Sequence, residues 1–89
     1  MSGKMPWDLA ITKPAERDLK EPSRDDLRRI NRALEAMRAD PYGGDIRFLQ
    51  GESGRLRRRV GVWRIFFRVE QHNHTVVILA VKRRTSTTY

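Results

Sequence analysis

The chain has 89 residues and a mass of 10.5 kDa, room for one domain, 1–89, and too little for two. Its 38% hydrophobic residues can build a packed core, which excludes a fully disordered chain. The absence of cysteine excludes a disulfide framework and a thiolate zinc site. The longest unbroken apolar run, Val76 to Val81, is far too short to cross a bilayer, and MSGKMPWDL has no apolar stretch of signal-peptide length. The expectation is a soluble cytoplasmic domain with no membrane partner.

The net charge of +8 is unevenly placed. Residues 1–45 hold nine basic and nine acidic side chains, whereas residues 46–89 hold ten basic and two acidic. Nine of those ten are arginines, and the tenth is Lys82. Arginine is always charged and presents a planar fork that matches phosphate oxygens. A half of this kind predicts a polyanion or an acidic partner segment as ligand.

In chain order, Trp7, Leu9 and Ile11 alternate with Asp8 and Ala10, predicting a short strand. Lys13-Pro14 opens a helix that runs through Ala15 and Leu19 and stops near Pro22. Ser23 is an N-cap, and Asp26 three residues later makes an approximate capping box. Leu27, Ile30, Leu34 and Met37 then form one apolar helical stripe, ended by Asp40-Pro41. Tyr42-Gly43-Gly44 reads as a turn or loop.

The second half changes to period two. Strands are predicted over Arg55 to Val60, Val62 to Glu70 and Thr75 to Lys82, with a bend or bulge at Gly61 and a polar hairpin turn at 71–74. The last strand is apolar at nearly every position, which places it centrally, covered on both faces. The predicted fold is α+β: two N-terminal helices on one face of a twisted, mainly antiparallel sheet of three to four strands.

Period two sorts the arginines. Arg55, Arg57 and Arg59 share one face of their strand, and Arg64, Phe66 and Arg68 share one face of the next. If these faces coincide, guanidinium groups stand about 4.8 Å apart between strands and roughly 6.7 Å apart along one, a spacing compatible with successive phosphates. A solvated outer face is the ordinary explanation of such a surface, but residues 53–69 contain no Asp or Glu, and a merely soluble face mixes signs. His72 and His74 lack the further ligands of a metal site and read as a hairpin tip. Gly51, Ser53 and Gly54 match no phosphate-loop pattern. Neither a metal nor a cofactor is expected. The segment from Lys82 to Tyr89 closes a buried strand with Lys82, Arg83 and Arg84 and carries a phenol at Tyr89. It is either a solubilising terminus or a site where Arg83 holds phosphate and Tyr89 stacks or exchanges a proton.

Several segments together resemble the RelE/ParE toxin superfamily of bacterial type II toxin–antitoxin systems. They are Pro14-Ala15-Glu16-Arg17-Asp18-Leu19, Asp40-Pro41, Phe48-Leu49-Gln50-Gly51, the block from Arg55 to Phe67, and the basic end of the last strand followed by a tyrosine. The resemblance covers nearly the whole chain and implies a RelE-like fold of the microbial ribonuclease kind. RelE-type members are ribosome-dependent mRNA endonucleases, whereas ParE-type members poison DNA gyrase. The resemblance places Arg55 and Arg57 where the RelE type has lysines, Arg64 on its strand arginine, Arg83 on its late arginine and Tyr89 on its tyrosine. It thus implies Arg64, Arg83 and Tyr89 as catalytic residues. Arg55, Arg57, Arg59, Arg68 and Arg84 would hold RNA phosphates. The implied function is a toxin that inhibits translation by cutting mRNA on the ribosome, held in a hetero-oligomer with a cognate antitoxin through an acidic or amphipathic segment. The alternatives are a ParE-like gyrase poison and a basic nucleic-acid-binding module without catalysis.

Overall fold

A computed structural model describes residues 6–49 and 54–84. Strand β1 (Asp8–Ile11) is followed by the short helix α1 (Lys13–Asp18), which starts at Thr12 and carries proline in its first turn. Thr12 caps α1 by accepting from the Ala15 amide, and its hydroxyl donates to the carbonyls of Ile78 and Leu79. Helix α2 (Arg24–Ala39) begins at Ser23, whose hydroxyl accepts from the Asp26 amide, as the capping signal predicts. Its apolar stripe buries Ile30, Ala33, Leu34 and Met37.

Four further strands follow: β2 (Ile46–Phe48), β3 (Arg55–Val60), β4 (Trp63–Glu70) and β5 (Thr75–Arg83). The sheet order is β1-β5-β4-β3-β2, with β1 parallel to β5 and every other pair antiparallel. The sheet therefore has five strands, one more than the upper expectation. The addition is β2, whose three residues are too few to display an alternation in sequence. The β3–β4 connection is a two-residue turn in which Gly61 adopts φ +60°, the left-handed conformation that tight hairpins require. Gly61 thus makes a turn where a bend or bulge was expected; the irregularity in register lies instead between Phe66 and Phe67, opposite β5.

Ala15 and the buried stripe of α2 pack against Leu56, Trp63, Ile65, Phe67, Val76, Ile78 and Val81. Both helices therefore lie on one face of the sheet. Strand β5 is internal, between β1 and β4, and buries Val76, Val77 and Ile78 consecutively. Strand β1 reaches only as far as Ile78, and beyond it Asp18 at the end of α1 takes over the exposed strand edge. Its Oδ2 accepts from the Val81 amide at 2.9 Å, and its Oδ1 meets Lys82 Nζ at 3.2 Å.

Candidate functional site

The strand register decides where the arginines stand, because directly paired residues project from the same face of a sheet. Arg55 pairs with Arg68, Arg57 with Phe66 and Arg59 with Arg64 across β3 and β4. The two arginine-bearing faces coincide, on the side opposite Trp63, Ile65 and Phe67. Strand β2 adds Arg47, paired with Arg57. One row across the sheet accordingly reads Arg47, Arg57, Phe66 and Ala80. A second contains Arg55, Arg68, Val77 and Ala10, and a third Arg59, Arg64 and Lys82. Five arginines, Arg55, Arg57, Arg59, Arg64 and Arg68, thus neighbour Phe66 on β3 and β4, and Arg47 stands one strand further out.

The electrostatics of this face are only partly compensated. Glu70 accepts from Arg68 Nε at 3.1 Å and from Nη2 at 2.8 Å, and Asp45 meets Arg59 Nε at 3.2 Å. Arg57 and Arg64 have no carboxylate or hydrogen-bond partner among the described residues, and the Nε of each is buried. Burial, followed by the charges of Arg64 and Arg47, holds the Arg57 pKa below its usual value; Asp45 opposes this, and Arg59 adds the smallest contribution. Arginine remains cationic at neutral pH even so, and cannot act as a base. Like charges directly opposite one another destabilise a sheet, so a bound anion would relieve a cost that folding has incurred here.

Arg55, Arg57, Arg59, Arg64 and Arg68 are therefore brought together as the sequence predicts. Arg83 is not with them: it pairs with Trp63, which assigns it to the helix-bearing face, and it is exposed at the end of β5. The residue opposite Arg64 is Lys82, whose ammonium turns to Asp18. Arg84 follows β5, donating its backbone N–H to the Val62 carbonyl. Tyr89 lies outside the described residues, as do Gln50 and Gly51 of the family-like segment and Ser53. Arg58 belongs to the opposite face and serves structure: its Nη1 donates to the Gly43 carbonyl at 3.2 Å.

Two members of the site escape sequence reasoning. Arg47 lies on the short strand that periodicity could not identify. Phe66 is legible as sharing a face with Arg64 and Arg68, but only the neighbouring register makes it the centre of the cluster. His74 stacks on Trp7, with centroids 3.9 Å apart and planes inclined by 15°. No group of three or more possible metal-ligating side chains occurs among the described residues, and none of their helices is long and apolar enough to cross a membrane.

The fold is similar to that of several toxin structures. A chain of the toxin–antitoxin complex RelBE2 from Mycobacterium tuberculosis is 24% identical, with a TM-score of 0.80 over 94% of this chain and 98% of that one. A chain of the archaeal RelE–RelB complex from Pyrococcus horikoshii OT3 is 22% identical, with a TM-score of 0.77 over 90% of this chain and 97% of that one. The isolated E. coli RelE toxin is 12% identical, with a TM-score of 0.76 over 89% of this chain and 85% of that one. Likeness at such identities is one of fold. No curated protein matches the chain. The family model described as the ParE toxin of the type II toxin–antitoxin system parDE matches residues 9–87. With nearly its whole length accounted for by that model, the chain belongs to the ParE toxin family, a type II toxin of the RelE/ParE superfamily.

Proposed function

We propose that this toxin is a ribosome-dependent mRNA endonuclease that receives the RNA backbone on the arginine-bearing face of its sheet. The observation that carries the reading is the in-register cluster, in which Arg57 and Arg64 lack carboxylate partners among the described residues. Such a face suits a chain of phosphates better than it suits solvent.

The chemistry begins with attack of an RNA 2′-oxygen on the adjacent phosphorus. The bond to the 5′-oxygen breaks, leaving a 2′,3′-cyclic phosphate and a 5′-hydroxyl. The 2′-hydroxyl gives up a proton, and the departing 5′-oxygen takes one. Negative charge accumulates on the non-bridging oxygens in the transition state, where Arg64 stabilises it. Arg55, Arg57, Arg59 and Arg68 hold flanking phosphates. The resemblance assigns proton transfer to Tyr89 and further charge stabilisation to Arg83. A phenol of pKa near ~10 becomes a useful base only beside cations. The ribosome supplies the positioning that an open sheet face lacks. A cognate antitoxin with an acidic or amphipathic segment silences the toxin by covering this charge.

The match to the ParE model favours a second reading, poisoning of DNA gyrase. Mapping of transcript ends and DNA breaks after induction separates the two. Cyclic-phosphate ends in translated mRNA support the endonuclease. Double-strand DNA breaks without them support the gyrase poison, and growth arrest with neither supports a binding module without catalysis.

A further inference from the structure

We infer that Phe66 is a stacking platform for a nucleobase of single-stranded RNA, and that it fixes the register of the strand on the arginine face; the inference rests on the RNA reading of that face. Phe66 pairs with Arg57 on one side and Ala80 on the other, and Arg64 and Arg68 flank it along its own strand. Arg55 and Arg59 occupy the diagonal positions on β3. The ring is neither in the core cluster nor fully exposed. An aromatic side chain on the face away from the helices spends apolar surface where a purely electrostatic face would carry a polar residue.

On its β5 side the direct partner of the ring is the small Ala80. On its β3 side, Arg57 and then Arg47 continue the same row, so phosphates can be held beside a base laid on the ring. The register shifts opposite Phe66 and Phe67, where β5 carries one extra residue, Leu79, beside Ala80. Guanidinium groups around an aromatic plate on a sheet combine the two interactions by which single-stranded nucleic acid is held: phosphate pairing and base stacking. Stacking requires an unpaired base, which selects a single strand over a duplex.

The test is binding of short oligoribonucleotides, read by fluorescence anisotropy in the absence of ribosomes. In the intact toxin, replacing individual nucleotides by abasic residues should weaken binding about tenfold at one position and little at the others. Phe66→Leu, which keeps the apolar bulk, should weaken binding of the intact oligonucleotide by a similar factor and become indifferent to the abasic position. Phe66→Tyr should bind as the parent does, and circular dichroism should show all variants folded. Inorganic polyphosphate of equal charge should bind more weakly than the RNA.

Three results overturn the platform. One is parental binding by Phe66→Leu while Arg57→Ala binds weakly; another is equal binding of abasic and intact strands. Both leave the arginine face as an RNA site. The third is salt-insensitive or undetectable RNA binding by the parent, which overturns the RNA reading itself.

Discussion

The indole Nε1 of Trp63 donates to Oδ2 of Asp26 at 3.0 Å, joining the start of β4 to the first turn of α2. This bond ties the arginine face to the helical layer, because Trp63 immediately precedes Arg64 and projects to the opposite side. It also explains why only half of the expected capping box forms. The Asp26 amide is capped by Ser23, while the Asp26 carboxylate accepts from the indole. A sequence shows the spacing of a capping box but not a distant donor competing for the same carboxylate.

Trp63 is 5% exposed, so Trp63→Ala should cost about 3–5 kcal/mol, a large part of the stability of a small domain. Asp26→Ala should cost about 1–3 kcal/mol by leaving the indole donor unsatisfied. Urea denaturation with an unchanged m-value measures both. A Trp63→Ala midpoint equal to that of the parent would contradict the assignment of the two faces.

Arg58 of β3 ties down the loop before β2 by donating to the Gly43 carbonyl, with Gly44 close against its guanidinium. Gly44 has φ +80°, and a Cβ there would stand 2.7 Å from Arg58 Cζ. Gly44→Ala should cost roughly 1–2 kcal/mol for its left-handed backbone, plus the displacement of Arg58 from the Gly43 carbonyl. In an Arg58→Ala background only the backbone contribution remains, so the two effects should be non-additive in a double-mutant cycle. Arg58→Ala should leave the salt dependence of RNA binding unchanged, because Arg58 projects away from the arginine face. A reduced slope would move Arg58 into the site.

The elements that sequence revealed were those with long periodic signals. The α2 stripe, the Ser23 cap and the alternation in β3 and β4 each repeat over enough residues to be read locally. The coincidence of the two arginine faces was conditional in the sequence, because one residue of register slip would have reversed it. Burial of Leu56, Ile65 and Phe67 fixes that register. What could not be read was set by distant partners. Arg47 needed β3 beside it to become part of a strand. Arg83 is carried to the other face by the extra residue of β5 between Ile78 and Ala80, which shifts the alternation by one and leaves no mark in the sequence.

Glu70 offers a pH-dependent test of the site. Hydrogen bonds from Arg68 and then Asn73 hold its pKa below the usual carboxylate value. A carboxylate with a depressed folded-state pKa contributes stability above its unfolded value of ~4.3, and that contribution is lost as pH falls through the folded pKa. The parent should therefore lose more stability on acidification below about pH 4.3 than Glu70→Gln does. At neutral pH the same variant frees Arg68 from its carboxylate, so RNA should bind it more tightly and with a steeper salt dependence. Equal acid sensitivity in the two proteins, read from urea midpoints against pH, would remove the Glu70–Arg68 pair from the account.

Arg64 and Arg57 are diagonal neighbours on the same face and should fail differently. Arg64→Ala removes charge stabilisation that matters most in the transition state, so single-turnover cleavage on programmed ribosomes should slow by roughly 10²–10³ with ribosome binding little changed. Arg64→Lys should recover only part of this loss, since an ammonium cannot reproduce the planar fork. Arg57→Ala and Arg55→Ala should act on binding, each removing about one phosphate contact and flattening the salt slope by about 0.7 for a single strand. Arg83 tests the geometry. Placed across the sheet from Arg64, it should affect cleavage less than Arg64 does. Tyr89→Phe separates proton transfer from stacking by keeping the ring and removing the hydroxyl. If Arg64→Ala, Arg83→Ala and Tyr89→Ala all remain folded and arrest growth at parental strength, the endonuclease reading fails, and DNA breaks then decide between the gyrase poison and the binding module.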